Sequence, residues 1–393
     1  MTATIQGVPV SWDRVRDLFA LDSTVAYLNH GAFGAVPIPV QRAQQRLRDE
    51  MEANPVAFFT RGLSDRLAHA RRHIAAFLGA DPDATALVPN ATAGIAIALR
   101  TVQLGAGDEI LLTDHAYGAV RLAAARFGAR SGAVVREVAI PLTATDDEAL
   151  ALVTSAFTPR TRLVIVEQVT SPTAKVLPVD KIAAAARDRG VAVLVDGAHA
   201  PGMLNVDVAA IGADFWVGNL HKWAFAPRPA ATLVTAAEHR PAVEPLVVSW
   251  LEPNGYPAAV EYGGTLDYTA WLAAPTGLHL LRTLGPDRVR RHNIDLADYA
   301  QLAVAAAIRA DPADLTRSPA TSMRLVPLPP GIATDRPSAM ALRDRLSKQY
   351  KCEVQVTDWR GRGYLRISAQ VYNTRSDVER LAAACAELVR AGG

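Results

Sequence analysis

Along the first two-thirds of the chain, short apolar runs alternate with longer stretches of near-helical period. Runs at 109–113, 134–140, 163–169, 191–196, 214–217 and 231–234 have the length and β-branched content of buried strands. Ala-rich stretches such as 117–130 and 179–189 lie between most of them and predict helices. Two more helices are expected at 39–53 and 61–78, and Ser11 is placed to cap a short one carrying Trp12, Val15, Leu18 and Phe19. This alternation predicts an α/β fold with a mostly parallel sheet covered on both faces. Residues 236–265 are rich in Pro and Gly and have no period, and helical patterns return at 269–284 and 287–310. Beyond Pro312 the order is strand, helix, strand, strand, helix, at 323–328, 339–349, 353–357, 363–368 and 376–390. That tail predicts a smaller α+β domain. The expected division is an N-terminal segment, 1–30, packing near the active site, a large domain, 31–280, and a small C-terminal domain, 281–393.

Length agrees with two domains, since 393 residues exceed the roughly 250–300 at which single cores stop growing. Half the residues are apolar and the net charge is +2, with no basic stripe interleaved with aromatics, so nucleic acid is not an expected partner. No uncharged apolar run approaches the ~18–20 residues of a membrane span. The first ten residues lack the basic-then-apolar pattern of a signal peptide. Two cysteines, Cys352 and Cys385, are too few for a disulfide framework, and Cys385 sits in a helical pattern as a small buried hydrophobe. Together these features predict a cytoplasmic location, and no metal site is expected.

Candidate chemistry collects at the ends of two strands. The run 191–195 ends at Asp196-Gly-Ala-His199, and the next run leads into Gly218-Asn-Leu-His-Lys-Trp223. In an open α/β sheet, ligands sit beyond the carboxyl ends of the strands. An acid and, 26 positions later, a lysine on that edge form the pair that a pyridoxal cofactor needs. The lysine, Lys222, binds the cofactor covalently and acts as the catalytic base, while Asp196 keeps the pyridine nitrogen protonated. Either residue alone would be an ordinary surface charge or helix cap; the conjunction with His199 and His221 is what points to the cofactor.

The segments Asp-Gly-Ala-His-Ala-Pro-Gly at 196–202 and Gly-Ala-Asp-Phe-Trp-Val-Gly-Asn-Leu-His-Lys-Trp at 212–223 resemble the class V aminotransferase family, in its isopenicillin N epimerase-like branch. The resemblance runs from about Tyr27 to the C-terminus. It implies a fold-type I pyridoxal-5′-phosphate enzyme, homodimeric, with the active site at the subunit interface. It also implies that Ala91 and Thr92, at the start of a helix suited to phosphate, hold the cofactor phosphate together with Asn219 and His221. Thr265 is implied to reach the partner's cofactor phosphate. Tyr117 is the expected ring-stacking residue, with His115 as the alternative, and His199 and Gln168 are expected at the ring's edge. On the substrate side, Arg366 matches a carboxylate-binding arginine, whose guanidinium can form two parallel hydrogen bonds. Asn29 and His30 match a loop that closes over the substrate, although a plain turn role suits them equally.

The expected reaction begins with loss of the Cα proton from an amino acid bearing a bulky, sulfur-linked side chain. Relatives in this branch include lyases that cleave C–S bonds, so β-elimination on an S-substituted cysteine is the leading expectation. Epimerisation, transamination and decarboxylative oxidative deamination are its alternatives. A desulfurase would need a cysteine in the loop 358–363, which has none. A nucleotide-dependent oxidoreductase, the rival from another class, would need a Gly-x-Gly-x-x-Gly after an early strand, and none follows one. Two departures from the branch lie near the site: Glu167-Gln168 replaces Asp-His, and Arg228-Pro229 replaces Lys-Gly.

Overall fold

The computed structural model describes residues 3–316 and 318–390. Seven strands form its main sheet: β1 Thr85–Val88, β2 Glu109–Thr113, β3 Val134–Val138, β4 Thr161–Glu167, β5 Ala192–Asp196, β6 Phe215–Asn219 and β7 Ala231–Thr235. Their spatial order is β1-β7-β6-β5-β4-β2-β3. The pairings from β6 through β3 are all parallel, whereas β7 runs antiparallel to both β6 and β1. The expected mostly parallel α/β sheet is therefore present, with one reversed strand near its edge.

Both faces of this sheet are buried, which explains why its strands read as continuous apolar runs rather than alternating ones. Leu111, Val164, Val166, Val193, Val195 and Trp216 enter one core cluster. Their chain neighbours Ile110, Leu112, Ile165, Leu194, Phe215 and Val217 enter another. Strand β1 had no counterpart among the expected runs. Its four residues, Thr-Ala-Leu-Val, are wholly buried and gain their place by pairing with β7, far away in sequence.

This sheet belongs to a unit made of Pro39–Ser171 and Leu177–His279. A second unit contains the described residues up to Ile38, Pro172–Val176, and the described residues from Leu280 onward. Its sheet is antiparallel, with β8 Met323–Pro327, β9 Gln355–Trp359 and β10 Arg362–Ser368 in the order β8-β10-β9. The helices Pro286–Ala307, Arg336–Tyr350 and Arg375–Arg390 contribute to the apolar core of this unit. Asp335 starts the second of these through a reciprocal cap with Ser338. The two-residue strand Ala26–Tyr27 pairs in parallel with Cys352–Glu353, joining the N-terminal stretch to this unit. Ser11 differs from expectation: its side chain makes no capping hydrogen bond, and the segment after it is a 3-10 helix. Among the described residues, no helix is long and apolar enough to cross a membrane.

Candidate active site

Strands β4, β5 and β6 end side by side, so the residues at their carboxyl ends are brought together by register alone. Glu167 of β4 pairs with Asp196 of β5, and Asp196 pairs with Val217 of β6. From β6 the chain passes directly into the short helix Leu220–Trp223. That turn returns Lys222 toward the end of β5, and its Nζ lies 3.0 Å from His199 Nε2. On the other side of the imidazole, the Trp223 indole N–H donates to His199 Nδ1 at 3.3 Å. His199 and Trp223 are both buried, and Lys222 is partly buried.

Asp196 is buried, and its Oδ1 accepts the Ala198 backbone N–H at 2.9 Å. Burial raises its pKa above the ordinary carboxylate value; the Ala198 N–H, and Lys222 whenever it is protonated, pull it down. Directly beside it, Glu167 accepts the Thr113 hydroxyl on Oε2 at 2.9 Å, while Oε1 has no hydrogen-bond partner. Burial first, and the neighbouring Asp196 charge second, push Glu167 up to about 8. Glu167 thus holds its proton at neutral pH and leaves any negative charge to Asp196. Sequence reasoning treated Glu167 only as a departure from a motif. An acid closing an otherwise apolar strand, opposite another such acid, was the signal that could have identified it.

Gln168 follows, with its amide oxygen accepting the Trp216 indole N–H at 3.0 Å. The Trp216 ring lies so close to Gly218 that a Cβ there would collide with it. Gln168 is therefore fixed in place and has its amide N–H groups left to offer. The helix Ala91–Thr101 begins nearby in the same unit. Asn90 caps it through the Ala93 N–H at 2.9 Å, and Asn219 Oδ1 accepts the Ala91 N–H at 2.8 Å. Thr92 is exposed at that helix start, where the helix dipole favours an anion. His221 bonds through Nδ1 to the Ala230 carbonyl at 2.9 Å. Burial, more than the neighbouring Lys222 and Arg228 charges, lowers it to about 4, so it is neutral at pH 7.

The two aromatic candidates differ in surroundings. Tyr117 is half exposed at the start of the helix Gly118–Ser131, whereas His115 is buried with Nε2 2.7 Å from the Ile140 carbonyl. Thr265 is exposed in the loop before the helix Thr269–Leu284. Arg228 and Pro229, the second departure, are also exposed.

In the other unit, Arg366 lies on β10, buried, with Nη2 3.4 Å from Asn29 Oδ1. A bridge between Asn29 and Ser368 ties this loop to the same strand. His30 is wholly buried; its Nδ1 lies 2.8 Å from the Tyr372 hydroxyl and its Nε2 3.2 Å from Gln370 Nε2. These contacts give His30 a bracing function in the loop that holds Asn29. Cys352 is buried in its strand, 3.4 Å from the Tyr350 carbonyl, and burial pushes its thiol up to about 11.

The donor set of the larger unit suits a phosphorylated pyridine aldehyde. It offers a primary amine held by a histidine, a buried acid, an amide donor and an anion-binding helix start. The family model for class-V aminotransferases matches residues 26–309. The chain is 34% identical to isopenicillin N epimerase of Amycolatopsis lactamdurans, over 97% of this chain and 99% of that one. It is 33% identical to the putative L-cysteine desulfhydrase 2 of Oryza sativa subsp. japonica, over 94% of this chain and 86% of that one. Among solved structures, a C-DES mutant with glycine covalently linked to its PLP cofactor superposes with a TM-score of 0.82 at 22% identity. That match covers 95% of this chain and 99% of the other.

Proposed function

The chain belongs to the class-V aminotransferase family, a pyridoxal-phosphate enzyme, and from that premise we propose that it is a C–S lyase acting on an S-substituted cysteine. When bound, pyridoxal phosphate supplies an aldehyde for the amine and a protonated ring that draws electron density from Cα. Lys222 would hold it covalently, with Asp196 at the pyridine nitrogen and His199 and Gln168 at the ring edge. The helix start at Ala91–Thr92, with Asn219 and His221, would hold the phosphate, and Tyr117 would cover the ring. Arg366, steadied by Asn29, would clamp the substrate carboxylate.

Lys222 Nζ, once the substrate amine has displaced it, is free to take the Cα proton, and the C–S bond breaks with its electron pair leaving on sulfur. The sulfur gains a proton and departs as a thiol; the remaining three-carbon fragment takes up water and ends as pyruvate and ammonia. The observation that favours elimination over sulfur transfer to the protein is the state of the two cysteines. Cys352 and Cys385 are both buried, with thiols pushed up to about 11 and about 12, so neither supplies a thiolate to receive sulfur. The leaving sulfur must exit with its own substituent. Relatives named for L-cysteine support a sulfur-bearing substrate. Two unpaired cysteines also suit a cytoplasmic location.

Epimerisation is the second reading, favoured by two relatives named isopenicillin N epimerase at 34% and 35% identity. Incubating the cofactor-loaded protein with S-substituted cysteines in deuterated water separates the two. Pyruvate and free thiol, both lost in Lys222→Ala, are the expected products. Recovered amino acid with inverted, deuterated Cα would establish epimerisation instead, and carbon dioxide would establish decarboxylation.

A further inference from the structure

One imidazole is shared by two nitrogen partners in this site, and their chemistry fixes its protonation. An indole N–H can only donate. Trp223 Nε1 donates to His199 Nδ1 at 3.3 Å, so Nδ1 must present a lone pair. A cationic imidazole has no lone pair to present, and a neutral one with its lone pair on Nδ1 carries its hydrogen on Nε2. That Nε2 is the atom 3.0 Å from Lys222 Nζ. With the hydrogen on Nε2, the contact is a hydrogen bond only if Nζ accepts. An ammonium group has three hydrogens and no lone pair, so it would place N–H against N–H.

We propose that Trp223 is a positioning residue that locks His199 as its Nε2–H tautomer, and that the locked ring selects the uncharged amine of Lys222. The consequence is that the amine waits as a nucleophile before any cofactor arrives, without needing to shed a proton first. This inference rests on the proposed role of Lys222 as the cofactor lysine.

The fold holds Trp223 for this purpose. Its side chain is buried, and its carbonyl packs against Gly202, whose φ of +87° and lack of Cβ permit the approach. A buried indole N–H left without an acceptor would cost about 1–3 kcal/mol, and His199 Nδ1 supplies an acceptor. Near the amine in this unit stand His199, Asp196 with Glu167 beside it, and His221 with Arg228 close to it. An ionised Asp196 favours an ammonium at Lys222 and the neutral His221 adds no charge, so the amine form is selected by the His199 contact against the pull of Asp196.

The test uses cofactor-free full-length protein and its Trp223→Phe variant, which keeps the ring and removes the donor. The rate of pyridoxal phosphate uptake, followed by absorbance, is measured against pH. The wild type is expected to load with a midpoint at least one pH unit below that of the variant. The variant would load about tenfold more slowly at neutral pH and reach the same plateau in alkali. Nitrogen NMR of labelled histidine is expected to show His199 protonated at Nε2 in the wild type and mixed in the variant. An unchanged midpoint in a variant with wild-type melting overturns the proposal. So does Nδ1 protonation in the wild-type spectrum, which decides the matter even if the variant does not fold. Retention of the bound-cofactor absorbance band in Lys222→Ala would instead overturn the cofactor role of Lys222 and leave the tautomer result standing.

Discussion

Two carboxyl groups buried beside one another cannot both ionise cheaply, and Glu167 is the one whose proton the fold retains. Its folded value of about 8 stands above the ordinary 4.5, so between these limits the folded state holds a proton that the unfolded chain has released. Stability contributed at this site is therefore full below about pH 4.5 and declines as pH rises toward 8, at up to about 1.4 kcal/mol per unit. Glu167→Gln, which is neutral at every pH and still accepts from Thr113, is expected to remove that slope. Urea unfolding of the cofactor-free variant at pH 5 and pH 8.5 should show its advantage over wild type growing by a few kcal/mol. Parallel pH profiles would show that Glu167 is ionised in the folded state. Arg366 is subject to a different argument, because a planar fork cannot be replaced by a point charge. Arg366→Lys is expected to raise KM for the amino acid about tenfold or more, consistent with one charge-assisted hydrogen bond of ~1.5–3 kcal/mol. Cofactor absorbance should be unchanged; a variant with unaltered KM would remove Arg366 from the substrate carboxylate.

At the scale of elements, the site depends on where strands stop and helices start. Asn90 caps the helix Ala91–Thr101 while Asn219 holds its first N–H, so two side chains fix the helix start at which the cofactor phosphate is proposed to sit. Asn90→Ala is expected to cost about 1 kcal/mol of stability. It should also weaken pyridoxal phosphate binding more than binding of unphosphorylated pyridoxal, as titration of the cofactor-free protein would show. Much of this framework could be read from the chain, because buried parallel strands announce themselves as apolar runs ending in polar residues. The placement of Asp196 and Lys222 at the ends of adjacent strands was legible for that reason. Strand β1 was not, since four residues after a 3-10 turn carry little pattern, and its placement depends on β7, nearly 150 positions away. The reversal of β7 was equally invisible, as direction leaves no trace in hydrophobic periodicity. The Trp223–His199 contact joins side chains 24 positions apart, and a tryptophan in an apolar context reads as core until its N–H finds an acceptor.

For the molecule as a whole, the surface near Thr265 carries an argument about assembly. Leu246, Val247, Val248 and Trp250 are exposed in one five-residue stretch, Trp250 at 88%, and Leu266 is exposed beside Thr265. The two segments are neighbours, because the Cβ position of Gly264 lies 4.0 Å from Ser249 Oγ. Exposed apolar residues grouped in this way mark an interaction surface rather than scattered surface hydrophobes. The homodimer expected from the sequence would bury this patch, with Thr265 at its edge, able to meet the partner's cofactor phosphate. If so, assembly and cofactor retention are linked. Trp250→Glu would place a charge in the patch and is expected to yield monomers by sedimentation at micromolar concentration, with cofactor affinity reduced in parallel. Thr265→Val should leave the dimer intact and weaken only the phosphate contact, since it removes one hydroxyl and keeps the shape. A monomeric Trp250→Glu that binds cofactor as tightly as wild type would detach Thr265 from the partner's site. A wild-type protein that sediments as a monomer would leave the apolar patch to some other partner.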